Sequence, residues 1–222
     1  DDTARVEAIL RADPKAAQAR LPDGATPVHF AAISGSAGTL ALLLAGGADP
    51  DLGKEEQTPL KLAARLNDTA VCRLLLQHGA APTDMAIDSA AWHNTDPELF
   101  KLLLDHGGSP NPTQGPDDRV AIHWACRANA GAVRYLIDAG ANVNTKMSGG
   151  SENTPLHEAV GNRDNGPEII EMLLDAGADP TLANRDGETP LAVAVSEGMA
   201  AAAEVLRRRL SEDSDGNGAG SA

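Results

Sequence analysis

Six histidines and two cysteines are the side chains of this 222-residue chain that are best suited to metal binding or nucleophilic chemistry. Their spacing fits neither task. Cys72 and Cys126 stand far apart in the sequence, and His157-Glu158 lacks the second histidine of a zinc-protease helix. The sequence also has no glycine-rich phosphate loop, dinucleotide fingerprint or serine-nucleophile motif. We therefore expect no catalytic site, no metal and no other cofactor.

The histidines instead occupy recurring positions. His29, His123 and His157 close variants of the tetrapeptide Thr-Pro-Leu-His, and His78 and His106 each precede a glycine after a leucine-rich run. An imidazole that returns at one position of a repeat is interpreted here as a hydrogen-bonding strut between adjacent loops. These histidines are therefore expected to be structural.

The tetrapeptide itself marks an internal repeat. Its copies begin at residues 26, 58, 85, 120, 154 and 189, in steps of 32, 27, 35, 34 and 35 residues. A period in this range is typical of a stacked array, in which each unit buries its apolar face against its neighbours. Function in such arrays is carried by an extended surface.

Residues 154–188 show the elements of one unit. Thr154 is a suitable N-cap and Pro155 fits the first turn of a short helix. Pro167 opens a second run with apolar residues at helical spacing, and Gly177 is suited to end it. The pattern predicts a helix, a turn, a second helix and then a hairpin-like finger.

The second half of the unit also recurs, as Leu-Leu-Asp-Ala-Gly-Ala-Asp at 173–179 and as variants at 43–49, 75–80, 103–108 and 136–142. Both halves together resemble the ankyrin repeat family over residues 3–210. The resemblance implies an all-α ankyrin-repeat solenoid of about six helix-turn-helix repeats, with short hairpin-like fingers. The array would occupy residues 1–210, including a partial N-terminal cap at 1–25, and the acidic, Gly/Ser-rich residues 211–222 are expected to be disordered.

Charge limits the kinds of partner. The 18 basic and 32 acidic residues give a net charge of −14. This charge disfavours nucleic acid and anionic membranes, which both attract lysine and arginine. No apolar run approaches the roughly 20 residues that span a bilayer. We expect a monomer with a protein partner of basic or neutral character.

The cysteines bear on the compartment. Cys72 and Cys126 fall in slots that hold small or apolar residues in other repeats, two repeats apart, which is too far for a disulfide. Reduced cysteines favour a cytoplasmic location. The sequence begins at Asp1 without a methionine, so the alternative is an exported or periplasmic protein after removal of a signal.

In the ankyrin family, the ends of the first helices line a concave groove and the fingers form its rim. The resemblance therefore implies a set of partner-binding residues. The groove residues are Arg65, Leu66, Trp92, His93, Arg127, Asn162 and Arg163. The rim residues are Lys54, Glu55, Met147 and Arg185.

Two of these positions raise specific questions. The 27-residue step removes most of one finger beside Trp92, which is then either an interface hot spot or a cover for the resulting notch. Glu158 falls in a slot that holds apolar residues elsewhere, such as Phe30 and Leu62. A carboxylate buried there would need a partner.

Two classes of function follow. The first is a non-enzymatic protein–protein interaction module that binds through the groove and the fingers. The alternative is the recognition domain of a longer enzyme or secreted effector whose catalytic part lies outside this sequence. The full reading frame would distinguish them.

Overall fold

The computed structural model describes residues 2–53, 57–92, 96–111, 120–147 and 150–216. Over these ranges the chain forms thirteen α-helices and one 3-10 helix, and none of the described residues lies in a β-strand. The chain divides into two compact units, residues 1–109 and 110–222, which are described in turn.

The N-terminal unit consists of two layers of helices. Helices α2, α4 and α6 pack side by side as first helices of their repeats, and α1, α3, α5 and α7 pack in the same order as second helices. Their bounds are α1 (Thr3–Ala12), a 3-10 helix (Pro14–Gln18), α2 (Pro27–Ile33), α3 (Ala37–Ala45), α4 (Pro59–Arg65), α5 (Thr69–Gln77), α6 (Asp84–Trp92) and α7 (Pro97–Asp105).

The C-terminal unit repeats this arrangement. The first helices α8, α10 and α12 pack in sequence, as do the second helices α9, α11 and α13. Their bounds are α8 (Ala121–Ala128), α9 (Ala130–Asp138), α10 (Pro155–Val160), α11 (Gly166–Asp175), α12 (Pro190–Ser196) and α13 (Ala200–Gly216). The predicted helix-turn-helix repeats are confirmed.

Local sequence explains where the helices begin and end. The Thr58 hydroxyl accepts the backbone N–H of Lys61 and so caps α4, whose first residue is a proline. Gly79, at φ 89°, ends α5 in the left-handed conformation that glycine adopts without strain. The same threonine and glycine pattern punctuates the other repeats.

One finger is almost absent, as the short step between repeats predicts. Helix α5 ends at Gln77 and α6 begins at Asp84, which leaves only residues 78–83 as the connection. The backbone N–H of Ala81 donates to the carboxylate of Asp51 at 2.9 Å, which ties this short connection to the preceding finger.

The prediction that residues 211–222 are disordered is wrong for residues 211–216. Helix α13 continues to Gly216, and the Ser211 hydroxyl donates to the Arg208 carbonyl along it. No glycine or proline interrupts the sequence between residues 200 and 215, so nothing in this stretch forces the helix to stop. Residues 217–222 lie outside the described residues.

Candidate protein-binding surface

The ends of α2 and α4 present apolar side chains to solvent. Leu66, the C-cap of α4, is 51% exposed, and Ile33, the last residue of α2, is also 51% exposed. Arg65, the last residue of α4, is exposed beside Leu66. Because α2 and α4 pack side by side, these equivalent ends form one surface, here called the N-terminal groove face.

Phe30 extends this surface and departs from the expectation of a core position. Leu62, its equivalent one repeat later, is 6% exposed, whereas Phe30 is 54% exposed. The difference arises because α4 has α2 beside it, while no described first helix packs on the other side of α2. Phe30 and Ile33 instead line an open cavity of about 490 Å³, together with Ile9 and Leu10 of α1.

For several residues that are predicted to belong to the binding surface, the side chain is not among the described atoms. Trp92 ends α6, but its side chain is outside the described atoms, so both interpretations of Trp92 stay predictions. Lys54, Glu55 and His93 also lie outside the described residues.

The C-terminal unit carries an ion pair in the slot that Leu62 fills in the N-terminal unit. The side chain of Glu158 is 4% exposed, and its Oε2 accepts a hydrogen bond from Nη1 of Arg127 at 3.2 Å. Its Oε1 accepts Nδ2 of Asn153 at 2.9 Å. The expectation that a buried Glu158 would need partners is confirmed.

Asn162 and Arg163 follow α10 and differ in exposure. Arg163 is exposed, as a groove residue should be, whereas Asn162 is only 8% exposed. Its Nδ2 donates to the Cys126 carbonyl at 3.1 Å, and its Oδ1 accepts the backbone N–H groups of Asp164 and Asn165. The amide thus holds the longer turn together, and the prediction that Asn162 contacts a partner is wrong.

The two described rim residues also differ. Met147 is 2% exposed and therefore packs inside the unit, which corrects the prediction that it contacts a partner. The Met147 N–H donates to the Asn153 carbonyl, so the backbone at this end of the finger is also bonded within the unit. Arg185 is exposed as predicted, but its Nη1 donates to the Gly150 carbonyl at 3.2 Å.

Three of the repeated histidines are the struts that the sequence predicts. For His78 and His106 the prediction is wrong, because Nδ1 of each ring bonds to a carbonyl of its own helix, that of Leu74 and that of Leu102. Nε2 of His29, His123 and His157 reaches a backbone carbonyl oxygen of the following finger, at 3.0, 3.2 and 3.0 Å. Burial lowers the pKa of His123 and His157 below the usual 6.5, although Glu158 opposes both shifts. Both rings are therefore neutral at physiological pH.

The cysteines offer no reactive group. Cys72 and Cys126 are buried and unpaired with each other. Burial raises the pKa of Cys72 to about 12 and that of Cys126 well above its usual range, so both thiols stay protonated. Within the described ranges there is no cluster of three potential metal ligands, and no helix long and apolar enough to cross a membrane.

Comparison with known proteins agrees with this architecture. The family model for ankyrin repeats, in three copies, matches residues 2–86 and 87–184. The chain belongs to the ankyrin repeat family. Ankyrin repeats generally serve as protein–protein interaction modules.

Proteins of different kinds contain ankyrin repeats similar to those of this chain. The chain is 30% identical over 203 residues to the B-cell lymphoma 3 protein homolog of Mus musculus, covering 86% of this chain and 44% of the relative. It is 34% identical over 99 residues to the 2-5A-dependent ribonuclease of Homo sapiens, covering 40% of this chain and 13% of the relative. The chain thus spans less than half the length of either relative.

A solved structure is similar over most of the chain. The crystal structure of an ankyrin repeat domain from Acinetobacter baumannii AYE matches with a TM-score of 0.72 and 27% identity. The match covers 82% of this chain and 97% of that domain. The predicted ankyrin-repeat fold is thereby confirmed.

Proposed function

We propose that this chain is a non-enzymatic module that binds a protein partner through the groove faces and finger loops of its ankyrin repeats. The observation that carries the proposal is the N-terminal groove face, where Ile33 and Leu66 are each half exposed at neighbouring helix ends. Phe30 and Arg65 extend it. Exposed apolar side chains at neighbouring helix ends of a folded domain favour a protein interface.

The surface is well suited to binding because its backbone is already ordered. The N–H of Leu66 bonds to the carbonyls of Leu62 and Ala63, and that of Asn67 bonds to Ala64. A partner that docks here would order few groups of this chain, so little conformational entropy would oppose binding. Binding by shape and apolar burial, with no chemical step, is the mechanism that follows.

Charged residues refine the expected partner. A chain of net charge −14 favours partners of basic or mixed character over nucleic acid or anionic membrane. Arg65, Arg127, Arg163 and Arg185 are exposed cations on these faces and fingers, and we assign them to the binding surface. Trp92, His93, Lys54 and Glu55 remain sequence-based members of it.

Affinity capture from the extract of the native cell tests the proposal. The parent chain is compared with Leu66→Ser and Arg65→Ala, and with Arg73→Ala as the matched control, since Arg73 is an exposed arginine on the second helix α5. We expect a protein retained by the parent and by Arg73→Ala, and lost from both groove variants. Equal retention by all four folded chains would exclude the N-terminal groove face.

An alternative is that these repeats are the recognition part of a longer enzyme or effector. It is favoured by the similarity to a ribonuclease of which the matched region covers only 13%. The full reading frame decides between the two: a further catalytic domain supports the alternative, and a frame limited to the repeats supports the independent module.

A further inference from the structure

Burying the carboxylate of Glu158 costs free energy of desolvation in a slot that an apolar residue fills elsewhere. The equivalent Leu62 fills the same slot with an apolar side chain at 6% exposure. A carboxylate in such a position seldom stabilises a protein more than a well-packed apolar residue, because the buried charge loses its hydration. The ion pair with Arg127 does, however, hold one guanidinium group in a fixed place.

The hydrogen bonds of Glu158 fix the position of the Arg127 guanidinium group. Glu158 cannot turn freely, because Asn153 donates to its other oxygen at 2.9 Å. It binds only Nη1 of Arg127, whose side chain is 58% exposed. Within the described part of the chain, the other guanidinium nitrogens of Arg127 make no hydrogen bond or ion pair. They are therefore oriented donors that face solvent.

A second arginine lies on an adjoining segment of backbone. Asn162 donates from its side chain to the carbonyl of Cys126, so the backbone at Arg163 lies close to the backbone at Arg127. Arg163 is exposed, and among the described residues no carboxylate lies within ion-pair distance of it. The adjacent Asp164 is exposed and makes no ion pair with either arginine.

Two exposed arginines with unused donors, on adjoining backbone segments, provide positive charge on an acidic chain. Arginine pairs with carboxylates through two parallel hydrogen bonds, which gives directional recognition. An acidic side chain is the complementary group that a protein partner offers. Glu158 satisfies only one nitrogen and so leaves this capacity available.

We propose that Arg127 and Arg163 together bind the carboxylate of an aspartate or glutamate in the partner's docking segment, with Glu158 as the residue that positions Arg127. This inference rests on the proposed function, because it needs a partner at the ends of α8 and α10, where Arg127 and Arg163 lie. The docking segment of the partner is then mixed in charge. It carries one acidic anchor for the arginines, while the rest of the segment is basic or neutral, as the net charge of −14 on this chain favours.

Subtractive peptide selection tests the inference. A display library of random 12-residue peptides is first depleted on an Arg127→Ala/Arg163→Ala variant and then selected on the parent protein. We expect the recovered peptides to share an aspartate or glutamate at one position. Recovery of peptides without such a position, or of no peptides, would overturn the inference.

Synthetic peptides then test the roles of the individual residues. On the parent, replacing the shared acidic residue by its amide should weaken binding at least about tenfold. On Arg127→Ala the two peptides should bind equally. Arg127→Lys, which keeps the charge but lacks the fork, should show an intermediate ratio. Arg134→Ala is the control, an exposed arginine on the second helix α9, and it should retain the parental ratio.

Glu158→Gln separates positioning from mere structural support. The amide keeps an acceptor for Asn153 but loses the charge that holds Arg127. We expect the acid-to-amide affinity ratio to fall several-fold, while the affinity for the amide peptide stays unchanged. Equal weakening of both peptides would indicate a structural role and contradict the assignment of Glu158.

A parallel selection without depletion separates this inference from the proposed function. Peptides from it that lose binding to Leu66→Ser support the groove as an interface, whatever the subtractive selection returns. If no recovered peptide responds to Leu66→Ser, to Arg65→Ala or to the arginine pair, both proposals fail together.

Discussion

The hydroxyl of Thr154 donates a hydrogen bond to Nδ1 of His157 at 2.8 Å, while Nε2 of the same ring donates to the Glu188 carbonyl. Since Nε2 faces a carbonyl oxygen and must carry the proton, Nδ1 is the acceptor. Thr26 and His29 form the same pair at 2.8 Å. Each pair joins the start of a first helix to the next finger.

The repeat at His123 lacks this hydroxyl, and restoring it should stabilise the protein. Val120 takes the threonine position, and among the described residues Nδ1 of the buried His123 has no hydrogen-bond partner. Val120→Thr adds a donor of nearly the same shape, so we expect the free energy of unfolding to rise by about 1 kcal/mol. Urea unfolding followed by circular dichroism measures the change.

The reverse substitution is the matched control for that prediction. Thr154→Val leaves Nδ1 of His157 without its hydroxyl partner and should cost about 1 to 3 kcal/mol. An unchanged or lower stability of Val120→Thr, alongside a destabilised Thr154→Val, would show that His123 is satisfied in another way.

Asp51, which bonds to the short connection after α5, is a second site for a stabilising substitution, as comparison with Asn144 shows. Asn144 joins successive fingers with both ends of its amide: Nδ2 donates to the Gly177 carbonyl at 3.0 Å, and Oδ1 accepts the Asp179 N–H at 2.8 Å. Asp51 holds the equivalent position and accepts the Ala81 N–H, but its buried Oδ1 has no partner within the described part of the chain. A carboxylate has no proton to donate there at neutral pH.

Asp51→Asn should therefore stabilise the protein by about 1 kcal/mol at pH 7. Burial raises the pKa of Asp51 above its usual 3.8, so the protonated carboxyl is favoured in the folded state. The stability that protonation adds is fully present below pH 3.8 and is lost as pH rises through the raised pKa. The gain from asparagine should thus shrink in acid, and Asn144→Asp should destabilise at pH 7. A gain that does not depend on pH would contradict this account.

Mild acid should lower the free energy of unfolding, because the buried histidines favour the neutral imidazole in the folded protein. The pKa of His157 is lowered by burial, so the unfolded chain binds more protons than the folded one as pH falls below 6.5. Stability is fully present above pH 6.5 and decreases as pH falls toward the lowered pKa. We expect a lower urea midpoint at pH 5.5 than at pH 7.5, and a smaller difference in His157→Gln. An equal difference in both chains would exclude His157 as a source.

Native thiols should be inert. Cys72 and Cys126 are buried and their raised pKa values keep them protonated. Ellman's reagent at pH 8 should label neither thiol in the folded protein and both in guanidinium chloride. Rapid labelling of the native chain would show that one of these helices opens readily.

The repeat pattern could be predicted from sequence because its signals are local. Threonine and proline at a helix start, glycine at its end and apolar residues at helical spacing each act within a few residues, and Thr58 and Gly79 behave accordingly. The need of a buried Glu158 for partners also followed from its slot alone.

Exposure of individual side chains could not be predicted in the same way, because it depends on neighbouring elements. Phe30 shares the slot of Leu62, but no described first helix packs on the other side of α2, so Phe30 is exposed. Asn162 and Met147 fall in surface-like positions of the pattern, yet both are buried, and Asn162 donates to the carbonyl of Cys126. The sequence indicates the missing hydroxyl partner of His123 only through Val120, a valine where threonine recurs in other repeats.

Hydrogen exchange on the complex tests the central claim most directly. The parent chain is measured alone and with the protein obtained by affinity capture. We predict slower exchange at the turns that follow α2 and α4, residues 34–36 and 66–68, with little change at the outer helices α3 and α5. Protection confined to α3 and α5, or no protection in the described parts of the array, would contradict binding through the groove face.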